Sequence, residues 1–149
     1  MISFLFQVFL LMFLGTITPS LGASQQEATP INAPSANTIV GAWEHTLSKN
    51  PQCKEIYIFR PDGTLTVLSG NRRFEDRYEI NAQADERGRF KLTGITQVNT
   101  DGIDCAGRSR SYVGKPYTVY IQFEGHDKCN AYGRPGDTKE SWSMRRITH

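Results

Sequence analysis

Glu55-Ile-Tyr-Ile-Phe-Arg60 and Thr64-Leu-Thr-Val-Leu68 flank the triplet Pro61-Asp62-Gly63. Both flanking runs are rich in β-branched and aromatic residues, which fit a pleated strand surface. Within the triplet, Pro pre-sets its own φ, Asp bonds back to the backbone and Gly supplies a positive φ. The stretch therefore reads as a β-hairpin, and it sets the rhythm for the rest of the chain.

Working outward, period-two alternation recurs and no convincing helical period does. A first strand covers Ile39–Thr46. After the hairpin, Ser69-Gly70-Asn71 is a turn, and Arg73–Ile80 places Phe74, Tyr78 and Ile80 on one face. Asp85–Gly88 turns again, and Arg89–Thr96 carries Phe90 and Leu92 on one side. A turn-rich connection spans Asn99–Pro116. Tyr117, Val119, Ile121 and Phe123 then alternate with polar partners. A short strand at Lys128–Tyr132, a turn at Gly133–Gly136 and a last strand over Glu140–Ile147 complete the chain. Trp142 and Met144 share one face of that last strand. The reading is all-β, with eight strands joined mostly by short turns. An even count lets the last strand pair antiparallel with the first, which closes a small up-and-down barrel and removes exposed edges. A two-sheet sandwich is the alternative.

The up-and-down path also orders Cys53, Cys105 and Cys129. Cys53 enters the second strand, at the end where the first strand finishes. Cys105 lies in the loop after the fifth strand, at that same end. Cys129 opens the seventh strand, at the other. A bridge needs Cα atoms within about 7 Å, so the expected disulfide is Cys53–Cys105, with Cys129 free. An oxidising compartment is implied.

The N-terminal region agrees with export. Ile2–Leu14 is apolar apart from Ser3 and Gln7, and Gly15–Ala23 is small-residue-rich with Pro19 as a breaker. That order is a secretory signal peptide, residues 1–23, although its leading end carries no Lys or Arg. The apolar core is shorter than the roughly 20 residues of a membrane span, so no span is expected after signal removal. Residues 24–37 read as a flexible tether, and residues 38–149 as one barrel domain, placed in the periplasm or outside the cell. The net charge of +2 comes from 17 basic and 15 acidic residues that interleave, as in Arg72–Arg77. No basic stripe is visible, so nucleic acid is not an expected partner.

Gly41-Ala42-Trp43 on the first strand of a small exported barrel resembles the G-x-W of lipocalins and their shorter relatives. In that family the Trp plugs the barrel base and a late-strand Arg packs across it. Arg146 matches by position, with Arg145 as the fallback for a register one residue off. Trp43, Cys53, Phe59–Thr64, Ser69-Gly70, Tyr78, Ile80 and Asp104–Gly107, in order, are also similar to a group of uncharacterised exported bacterial proteins with lipocalin-like folds. Those proteins tend to carry further cysteines near the C-terminus, where this chain has only Cys129. The resemblance implies a fold and no established activity.

No catalytic constellation stands out, and the chain reads as non-enzymatic without a cofactor. Cys105 with His126 imitates a nucleophile pair, but Cys105 is better explained as half of a disulfide. Asp101 and Asp104 do not match a calcium loop, and His126-x-x-Cys129 lacks the companions of a zinc site. Two function classes remain. In the first, the barrel carries a small apolar molecule against Phe74, Tyr78, Phe90, Leu92, Tyr117, Val119, Ile121 and Trp142, with Ile56 or Tyr57 and Phe123 beside them. The competing view of those residues is that they simply fill the interior. In the second, a solid barrel acts as an interaction module, such as an inhibitor of a secreted or cell-wall-directed enzyme. Its protein partner would then meet Arg108, Arg110 and Tyr112 on the 99–116 loop.

Overall fold

A computed structural model describes residues 34–148. The expected signal peptide, most of the expected tether and His149 lie outside the described residues. The strands are β1 Gly41–Leu47, β2 Asn50–Phe59, β3 Thr64–Ser69, β4 Arg72–Ile80, β5 Phe90–Asn99, β6 Pro116–Glu124, β7 Lys128–Tyr132 and β8 Trp142–Arg146. Each pairs antiparallel with the next, and β1 pairs with β8, so the sheet closes into an eight-stranded barrel and the sandwich alternative is excluded. No helix of the described residues is long and apolar enough to cross a membrane.

The hairpin forms by the turn chemistry of its triplet. Asp62 accepts hydrogen bonds from the Thr64 amide (3.0 Å) and hydroxyl (2.6 Å). Those two bonds hold its carboxyl below the usual range. Gly63 sits at φ +78°, as the turn demands.

Several strand limits differ from the sequence reading, each for a tertiary reason. Ile39 belongs to a short 3₁₀ turn, Ala36–Ile39, and its buried side chain packs into the core. That turn also takes in Ala36 and Asn37, which the sequence places in the tether. β2 begins at Asn50, which pairs with Leu47 beyond an irregularity between Thr46 and Leu47. β5 runs on to Asn99, past an irregularity opposite Glu75 and Asp76, to pair with the start of β4. β8 begins only at Trp142, paired with Ala131.

Alternation sends one side chain in two into the barrel. One half of the interior is filled by Ile39, Trp43, Phe59, Tyr78, Cys129 and Met144. Phe123 bridges to this half, with ring centroids 6.3 Å from Trp43 and 5.7 Å from Phe90. At the base, the Trp43 indole is fully buried and donates to the Ile39 carbonyl at 2.7 Å. The Arg146 guanidinium carbon lies 4.3 Å from the Trp43 ring centroid, and the group donates to the Val40 and His126 carbonyls at 2.9 Å each. The register Trp43↔Arg146 makes Arg146 the stacking residue; Arg145 pairs with Glu44 and is exposed. Gly41 has φ +127°, and a Cβ there would lie 2.5 Å from an Arg146 nitrogen. Glycine is therefore required at this position both by conformation and by space.

Candidate functional site: a cavity at the open end

The other half of the barrel is hollow. A cavity of about 280 Å³ opens where β1 ends and β2 begins. Its apolar wall comes from Phe59, Leu65, Val67, Leu92, Val119 and Ile121, and rings from Tyr57, Phe74, Tyr112, Tyr117 and Trp142 complete it. Tyr57 and Trp142 stack with centroids 5.5 Å apart. His45 packs against the other side of the mouth, 5.7 Å from Trp142, and its Nδ1 donates to the Ser143 carbonyl at 2.7 Å.

The mouth is framed by the β5–β6 loop, residues 100–115. The Cys53–Cys105 disulfide, with Cα atoms 5.5 Å apart, ties this loop to β2. Buried Arg72 stacks over Phe74 and donates to the Thr100 carbonyl at 3.1 Å and to the Arg110 carbonyl at 2.9 Å. The Cys105 amide donates to Ser69 Oγ at 2.9 Å, and the Ser69 hydroxyl donates onward to Glu55 at 2.5 Å. Glu55 also accepts from the Tyr57 hydroxyl at 2.9 Å. Burial, and then the Glu55 carboxylate, push the Tyr57 pKa up and keep that hydroxyl protonated.

Three carboxylates line the cavity: Glu55, Asp76 and Asp104. Asp104 is engaged by Arg108 Nε at 3.0 Å and by the amides of Ala106 and Arg108. Asp76 is 7% exposed and accepts from the Tyr117 hydroxyl at 2.8 Å, while its Oδ1 has no hydrogen-bond partner among the described residues. Burial raises the Asp76 pKa above the ordinary carboxyl value; the hydroxyls of Tyr117 and Thr96 oppose that rise. The Tyr117 pKa is raised in turn by burial and by Asp76. Gly94, opposite Tyr117 on β5, makes this geometry possible. A Cβ at Gly94 would lie 2.3 Å from the Tyr117 ring, so only glycine lets that ring lie against the β5 backbone.

Of the residues expected to bind a ligand, Phe74, Leu92, Tyr117, Val119, Ile121 and Trp142 meet in the cavity wall. Tyr78 and Phe90 do not. Tyr78 lies in the filled half, edge-on to Phe59, with its hydroxyl on the Arg60 carbonyl at 2.8 Å. Phe90 packs on Phe123. Both share the inward face with the lining residues, but they sit at a depth that the floor occupies. The loop residues divide as well. Arg108 and Tyr112, expected to face a protein partner, line the cavity. Arg110 stays outside, stacked 5.0 Å from the Tyr112 ring centroid.

The polar lining escapes a reading based on hydrophobic alternation. Glu55 and Asp76 fall on inward positions by the same period that marks Tyr57 and Phe74, and that position is the signal that locates them. Cys105 is disulfide-bonded, which removes the Cys105–His126 nucleophile pair. Among the described residues, no group of three or more His, Cys, Asp or Glu side chains is placed to hold a metal ion. No family model, curated protein or solved structure matches this chain.

Proposed function

We propose that this protein is an exported, non-catalytic carrier with a lipocalin-like barrel that holds one small, mostly apolar molecule. The observation that supports this is the cavity of about 280 Å³ above a filled floor. It sits just under the roughly 300–1,000 Å³ of typical ligand sites. A water takes about 30 Å³ of liquid volume, so the space suits a ligand on the order of ten non-hydrogen atoms. The Cys53–Cys105 disulfide fits an oxidising, extracytoplasmic compartment.

Native mass spectrometry of the mature protein, purified from its own compartment without detergent, tests the carrier reading. A reproducible small-mass adduct, lost on denaturation and absent from Leu92→Trp, is the expected result. A folded protein with a clean apo mass and no ligand uptake overturns it.

One observation favours the interaction module as a second reading. Ile103 and Val113, on the β5–β6 loop, are 58% and 50% exposed. Because Arg108 and Tyr112 border the cavity, their substitution does not separate the two functions. Ile103→Ser with Val113→Ser does: a module loses its partner, whereas a carrier keeps its ligand.

A further inference from the structure

Building on the carrier reading, we propose that the ligand is a protonated amine on an apolar body, with its ammonium group bonded to Asp76 from inside the cavity. Asp76 is a buried cavity-lining carboxylate with unused acceptor capacity: Tyr117 donates to one oxygen, and Oδ1 makes no hydrogen bond among the described residues, although the Thr96 hydroxyl opposite it on β5 is near enough to hold the Asp76 pKa down. Buried acceptors are rarely left unsatisfied, because desolvating them without a donor is unfavourable.

The rest of the lining decides which donor fits. Glu55 already accepts from Ser69 and Tyr57. Among the described residues, Arg108 is the one cationic side chain in the wall; it sits at the mouth, 51% exposed, and is engaged with Asp104. Arg72 stacks on Phe74 without lining the cavity, its donors spent on the Thr100 and Arg110 carbonyls. The deep wall therefore presents, among the described residues, carboxylates and no cation. An anionic ligand would meet Glu55 and Asp76 without a counter-charge, which a low-dielectric site disfavours strongly. A hydrocarbon would leave Asp76 as it is. An ammonium supplies both the missing hydrogen bond and the missing charge. Tyr57, Phe59, Phe74 and Trp142 add ring faces that attract a cation and an apolar body alike. The direction of the Asp76 pKa agrees, since a carboxylate raised by burial gains from an incoming positive charge.

Titration calorimetry on the mature chain at neutral pH, with three probes of similar size, tests this. The probes are 2-phenylethylamine, 3-phenylpropanoate and ethylbenzene. The amine is expected to bind about ten- to a hundredfold more tightly than either other probe, the range of one charge-assisted hydrogen bond. Asp76→Asn keeps the shape, and it is expected to lose that preference while still taking ethylbenzene. Circular dichroism melting establishes that the variant is folded, and Glu79→Gln, which removes an exposed carboxylate of the same strand outside the cavity, is expected to keep the preference. Ethylbenzene or the carboxylate binding the wild type as well as the amine overturns the amine inference and leaves the carrier reading standing. So does a preference that survives Asp76→Asn. No binding of any probe to folded protein, together with a clean apo mass, overturns both.

Discussion

Replacing Cys53 and Cys105 together by serine removes the covalent tie that holds the β5–β6 loop over the cavity mouth. The bridge spans 52 residues of sequence. For a loop of that length, the chain-entropy relation gives about 4 kcal/mol of stabilisation at 25 °C. Single domains have only about 5–15 kcal/mol in total, so the double variant is expected to be marginal. Urea unfolding followed by tryptophan fluorescence reads the difference directly. Trp43 lies in the filled half and Trp142 at the mouth, so one signal covers both ends. With a slope of about 2 kcal/mol per molar urea, the midpoint should fall by about 2 M. The loop also has non-covalent holds, namely Arg72 on the Thr100 and Arg110 carbonyls and the Cys105 amide on Ser69. These hold the loop in the folded variant and do not offset the entropy that the unfolded chain regains without the bridge. A midpoint shift under about 0.5 M with an unchanged slope would refute the reasoning, because the bridge would then add little beyond those contacts.

Gly41→Ala introduces a Cβ at φ +127° that collides with Arg146, so a loss of about 1–3 kcal/mol is expected in the same urea assay; an unchanged midpoint contradicts the account of the base. Asp76→Asn is expected to be more stable than wild type at neutral pH. The folded-state pKa of Asp76 is raised, so its ionisation opposes folding once pH exceeds the unfolded value of about 3.9. The advantage should therefore shrink as pH falls through the folded pKa and vanish below the unfolded one, as melting curves across pH would show; an advantage that grows on acidification would reverse the sign and sink the argument. Cys129 is fully buried, and burial pushes its pKa up to about 12. Iodoacetamide is expected to label it only at the rate of unfolding, and rapid labelling without denaturant would place the thiol at the surface instead.

The elements themselves were legible because their signals are local. Period-two alternation marks the inward set, and Pro61-Asp62-Gly63 marks a turn through chemistry contained in three residues. Strand count and path order then placed Cys53 and Cys105 at one end of the barrel, where the disulfide lies. Height within the barrel was not legible. Tyr78 and Leu92 both face inward, yet Tyr78 lies in the filled half and Leu92 lines the cavity. That difference depends on how staggered strands bring residues from distant parts of the chain to the same level. The choice of Arg146 over Arg145 is likewise a matter of register between β1 and β8, where one residue of slip exchanges inside for outside.

Polarity was the other blind spot. A hydrophobic pattern assigns charged residues to solvent, so Glu55 and Asp76 pass unnoticed although they occupy inward positions. Their burial is tolerated only because Ser69, Tyr57 and Tyr117, brought from three strands, supply donors. By itself the sequence determined an all-β chain, its strand order and the ends at which its cysteines sit, because backbone propensity and turn chemistry act between neighbours. Only the tertiary structure decided that the barrel is half filled and half hollow, and that a carboxylate lies in the hollow, because both follow from packing across the closed sheet.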